Sequence, residues 1–137
     1  MRVIVLIWVL LAGISCTSSK NSSMKANKLN GTWMPVRQEM GGNVIPKPAF
    51  ETQRLIINDG TYEFRAESVD KGIVEYNGNR MDIYGKEGVN TGKHFTAIFK
   101  YERNQLTICY NLKGDAYPDA FATQGHPLFF LCAFQKE

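Results

Sequence analysis

Two histidines, His94 and His126, and three cysteines, Cys16, Cys109 and Cys132, are the side chains of this sequence best suited to chemistry. A metal site or a general base needs partners at defined spacing, and neither histidine has one. There is no His-x-x-x-His, no Cys-x-x-Cys and no glycine-rich phosphate loop. No serine stands in a nucleophile elbow. The expectation is a non-enzyme with no metal and no cofactor. The most unusual segment is "GDAYPDAFATQGHP", residues 114–127. Loops of this length are functional or disordered, and Tyr117, Phe121 and His126 argue against disorder. It reads either as a lid over a binding site, with Asp115, Tyr117, Asp119 and His126 giving polar contacts, or as a plug seated by Phe121.

The elements that must position these residues are short. Residues 31–137 carry no helix-length amphipathic segment. They carry alternating runs broken by Gly, Asn and Asp, which is the pattern of antiparallel strands. The first run is "TWMPVRQEM", 32–40, where Pro35 predicts an edge or an irregularity. "RLIIN" and "TYEFR" flank Asp59-Gly60, a hairpin signal. "GIVEY" and "RMDIYG" flank Asn77-Gly78-Asn79; "HFTAIFKY" and "QLTICYN" flank Glu102-Arg103-Asn104. After the long loop comes "LFFLCAF", 128–134. Eight strands in sequential hairpins predict an all-β, eight-stranded antiparallel up-and-down barrel, which leaves no edge strand. A two-sheet sandwich is the competitor.

Period-2 alternation assigns faces. Phe95, Ala97, Phe99 and Tyr101 share one side; Leu55 and Ile57 match Tyr62 and Phe64; Met81 and Ile83 oppose Asp82 and Tyr84; Leu106, Ile108 and Tyr110 oppose Thr107 and Cys109. The last strand is apolar on both sides. The expected inward set includes Trp33, Tyr62, Phe64, Phe95, Phe99, Tyr101 and Tyr110. An eight-stranded barrel is filled by side chains or holds one small ligand, and either outcome suits these aromatics. The expected ligand-binding residues, in the interior or at its mouth, are these seven together with Tyr117 and Phe121. Cys109 and Cys132 fall on neighbouring strands, so a disulfide and two buried thiols both stay open.

The chain begins with Arg2, an apolar run from Val3 to Leu11, small residues and then Cys16. This is the form of a secretory signal, and the run is too short to span a bilayer. The exit resembles a bacterial lipobox. The resemblance implies that residues 1–15 are a lipoprotein signal peptide and that acyl chains on Cys16 tie the protein to the membrane. Residues 16–30 are rich in Ser, Asn and Lys and read as a flexible tether. Thr17 in place of Asp points to the outer membrane, with the domain facing the periplasm. The chain has 16 Lys and Arg against 13 Asp and Glu. Four of the cations precede residue 31, leaving 12 against 13 in the domain. No clustered positive charge is left for nucleic acid.

"GTW", residues 31–33, then "LIINDGTYEF", then the run from Thr91 to Glu137 together resemble a family of small bacterial lipocalin-like domains expanded in planctomycetes. Gly31, Thr32, Trp33, Leu106, Ile108, Cys109, Tyr110, Gly114, Pro118 and Phe121 occupy the matching positions. The resemblance implies a lipocalin-like barrel and a cation on the Trp33 face, where Lys136 stands in for the family's Arg. It imports no common activity. The function expected is an envelope lipoprotein whose barrel binds a small apolar or amphipathic ligand. The alternative is a filled barrel whose loops bind another envelope protein.

Overall fold

The computed structural model describes residues 28–137. The expected signal peptide, Cys16 and nearly all of the expected tether lie outside them. Nine strands follow in chain order: β1 (Gly31–Met40), β2 (Asn43–Ile45), β3 (Arg54–Asn58), β4 (Thr61–Arg65), β5 (Val69–Asn77), β6 (Arg80–Glu87), β7 (His94–Glu102), β8 (Gln105–Asn111) and β9 (Phe129–Lys136). Each strand from β3 onward pairs antiparallel with the next, and β1 pairs with both β3 and β9. Eight strands therefore close an up-and-down barrel of lipocalin-like form. The ninth, β2, is a three-residue appendage on the end of β1, too short to leave a periodic signal.

Local chemistry explains the corners. Asp59 and Gly60 both take positive φ, at 45° and 79°, as a two-residue hairpin with the twist of its strands requires. Pro35 has no N–H to give to the ladder. The β1–β9 register slips between Pro35 and Arg37, so the irregularity falls where the proline predicts it, inside a paired strand.

The barrel has a closed and an open end. At the closed end Leu29, Trp33, Leu106 and Phe134 are almost wholly buried, and the Trp33 indole N–H donates to the Leu29 carbonyl at 2.8 Å. At the other end lie the β4–β5 turn, the 88–93 loop and the start of the long 112–128 loop. That long loop has no strand or helix. It folds over the outer wall, where Tyr117, Phe121 and Phe129 pack on Ile98, Cys109 and Leu131. This is why β9 is apolar on both faces: one faces the interior and the other lies beneath the loop. Among the described residues, no helix is long and apolar enough to cross a membrane.

Candidate functional site

The faces follow the alternation. Leu55, Ile57, Tyr62, Met81, Ile83, Ala97, Phe99, Leu106 and Ile108 form one interior cluster, with Phe64, Tyr76, Phe95, Tyr110 and Phe130 packed on it. The expected site residues divide within it. Trp33 and Phe99 belong to the closed end. Tyr101 meets Trp33 edge-on at 5.8 Å but is 38% exposed; it rims the closed end and does not line the cavity. Tyr62, Phe64, Phe95 and Tyr110 converge in the open half.

There the interior keeps a cavity of about 160 Å³. Aliphatic walls come from Leu55, Ile57, Val74, Met81, Ile83 and Ile108, and aromatic ones from Phe64, Phe95 and Phe130. Tyr110 stacks on Phe130 with ring centres 5.7 Å apart. Polar atoms are few: the Tyr62 and Tyr110 hydroxyls, the Asp70 carboxylate and Asn90. Burial pushes the Tyr110 phenol well above its ordinary range. Burial raises Tyr62 as well, with the Asp70 charge as a second cause. Deeper in, the Tyr76 hydroxyl is buried without a hydrogen-bond partner among the described residues, and burial pushes it up to about 12. This surface can hold an apolar body and offer hydrogen bonds at a few points. Among the described residues that line it, no nucleophile is paired with a base. Among the described residues no three metal-ligating side chains come together.

Asp70, Val74, Asn90, Leu112 and Phe130 escaped the sequence reading. Asp70 carried a usable signal, since it continues the inward series Val74 and Gly72 by one more step of two. Taking that strand to begin at Gly72, and not at Val69, hid it. Asn90 belongs to a loop and had no periodic signal.

Tyr117 and Phe121 require a correction. Neither lines the interior or its mouth, and the loop is neither a lid nor a plug. It is strapped to the outside of β6–β9. The Tyr117 hydroxyl donates to Asp82 Oδ2, which raises its pKa, with burial the next cause. Asp82 Oδ1 takes a second hydrogen bond from His94 Nε2 at 2.7 Å, and His94 stacks on Tyr84 at 4.6 Å. Arg80 covers the Tyr117 ring at 4.6 Å and Lys100 the Phe121 ring at 4.7 Å. Thr96 and Asn111 both donate to the Ala116 carbonyl. Asp82 is thus occupied by two donors, and the cluster's visible work is to hold the loop. His126 stacks on Phe129 at 4.2 Å. Asp115 accepts from Asn111, which holds its carboxyl below the usual range.

The disulfide is also excluded. Ile108 faces Cys132 across the β8–β9 ladder, and Cys109 faces Leu131. One register step separates the two cysteines, so the pleat sends them to opposite sides. Cys132 belongs to the interior cluster and Cys109 to the patch beneath the loop; both are free. Burial pushes the Cys109 thiol up to about 11 and Cys132 higher still.

In comparisons with known proteins, no family model matches this chain, and neither a curated protein nor a solved structure shows significant similarity to it.

Proposed function

We propose that this chain is a lipid-anchored envelope protein whose barrel binds one small apolar or amphipathic molecule. The observation that carries the reading is the cavity of about 160 Å³ in the open half of the barrel, lined by apolar side chains with tyrosines among them. A cavity near 150 Å³ with such a lining takes a guest the size of benzene. The ligand is therefore a single ring or a short branched chain, and a long acyl chain does not fit. A wholly filled barrel, needed for the scaffold alternative, is disfavoured by the same space. Tyr117 and Phe121, the apolar groups that alternative would use, are spent against the barrel wall.

The anchor rests on the signal-like leader, Cys16 and the Ser-, Asn- and Lys-rich stretch behind it. The proposed location is the outer membrane, with the domain in the periplasm. Radioactive fatty acid should label the protein and not its Cys16→Ala variant; label retained by the variant would sink the anchor. For the cavity, titration with 2-phenylethanol should shift the amide resonances of Ile83, Phe95, Tyr110 and Phe130. Shifts confined to the outer wall, or none at saturation, would sink the binding reading.

A further inference from the structure

We infer that the cavity is built for a small organic cation: an ammonium group carried on a single ring or a short branched chain and paired with Asp70. The inference rests on the binding reading above and narrows its ligand class.

Asp70 is the inward-facing residue of β5 opposite Phe64 of β4. It is only 6% exposed and lines the cavity. A buried carboxylate ordinarily has a cation beside it, because its desolvation costs several kcal/mol uncompensated. None of the ion pairs among the described residues involves Asp70. Its hydrogen bonds come from one neutral residue: the Asn90 backbone N–H to Oδ1 and the Asn90 amide to Oδ2, both at 3.2 Å. These are at the long limit of hydrogen-bond distances, and two carboxylate oxygens accept about four. The carboxylate therefore keeps acceptor capacity, on a residue that lines the cavity.

The surroundings suit an ammonium group. Phe64, Phe95 and Phe130 line the same space with Tyr62 and Tyr110, and aromatic faces attract cations most strongly when water is excluded. The tyrosine oxygens can accept N–H bonds that Asp70 does not take. Among the described residues no lysine, arginine or histidine lines the cavity, so an anionic ligand would meet a like charge and no counter-charge. The aliphatic walls of Leu55, Ile57, Val74 and Ile108 take the body of the ligand, and the volume limits that body to one ring or its equivalent.

The test compares two probes of matched shape on the full chain, 2-phenylethylamine and 2-phenylethanol, by calorimetry at pH 7. The amine should bind at least about tenfold more tightly than the alcohol, the effect of one charge-assisted hydrogen bond. In Asp70→Asn the amine should lose its preference over the alcohol. Equal affinity of the two probes for the native protein overturns the cation assignment and leaves the apolar-cavity reading standing. A preference that survives Asp70→Asn overturns the role of Asp70. Failure of both probes overturns both readings together. Should Asp70→Asn not fold, Asn90→Ala reads the same contact: releasing one of the carboxylate's two hydrogen bonds should raise the affinity for the amine relative to the alcohol, and an unchanged ratio of the two would count against the pairing.

Discussion

Lys136 Nζ lies 5.5 Å from the centre of the Trp33 ring, and Gly31 makes that position available. A Cβ at Gly31 would stand 2.5 Å from Lys136 Cε, and the residue has φ +141°. The spacing Gly31-x-Trp33 thus joins two needs in one corner: a backbone conformation that disfavours side chains and an open path for a cation over a buried indole. Lys136→Met, which keeps the stem and removes the charge, should cost about 0.5–1 kcal/mol in urea unfolding, and Lys136→Arg should cost nothing. Gly31→Ala should cost roughly 1–3 kcal/mol from backbone strain, somewhat less when Lys136 is also Ala. Equal unfolding midpoints for native protein and Lys136→Met would remove the cation–π account.

The opposed cysteines predict resistance to both oxidation and alkylation. The native chain incubated with a mild oxidant should form no bridge between Cys109 and Cys132. Iodoacetamide at pH 8 should modify neither, because burial keeps both protonated and covered. Denaturant without reductant should expose both to alkylation, as peptide mass mapping would show. A linked Cys109–Cys132 peptide would contradict the β8–β9 register.

The sequence exposed the barrel because each strand from β3 to β8 is bounded by a turn and alternates cleanly. Asp59-Gly60 and the 62/64, 81/83, 95/97/99 and 106/108/110 series fix hairpins and faces together. The same alternation placed Cys109 opposite Tyr110, which contained the answer on the disulfide once β9 could be registered. That register was illegible, because β9 buries both faces. Where the long loop goes was equally hidden: its anchors are Asp82, Thr96 and Asn111, polar residues on outward positions, where a solvated surface would carry the same types. Whether the barrel was full could not be read either, since it depends on rotamers at the open end and not on residue types.

The strapped loop should be separable from the cavity. Tyr117→Phe removes the hydrogen bond to Asp82 and should cost about 1 kcal/mol. Amide exchange in residues 116–123 should quicken several-fold, with binding of 2-phenylethanol unchanged. Altered binding in this variant would mean that the outer wall and the interior are coupled.

The interior tyrosines predict an alkaline weakness. Burial raises Tyr62, Tyr76 and Tyr110 above the ordinary tyrosine value of 10.0. Between that value and about 12 the unfolded Tyr76 has lost its proton while the folded one keeps it. The unfolded state then binds fewer protons, so stability is full below pH 10 and falls as pH rises. Tyr76→Phe should flatten part of that fall. It also removes a buried hydroxyl with no partner, so at pH 7 it should be neutral or stabilising by up to about 1 kcal/mol. A destabilised Tyr76→Phe at pH 7 would mean that the hydroxyl has a hydrogen-bond partner in solution.

The cavity itself is open to a filling test. Val74 lies on β5 opposite Ile83 of β6, and both line the cavity. Val74→Phe adds a ring where the ligand's ring would sit. In a tightly packed core such a gain costs roughly 1–3 kcal/mol; here the empty volume should absorb most of it, leaving stability within about 1 kcal/mol of native. Binding of 2-phenylethanol should fall by more than about tenfold, since an occupied pocket forfeits the apolar burial that holds the guest. Ile98→Val is the control, buried on the outer side under the long loop: it should cost about 0.5–1.5 kcal/mol and leave binding intact. The two variants separate loss of stability from loss of space. A Val74→Phe protein that binds as tightly as native would move the site out of the barrel.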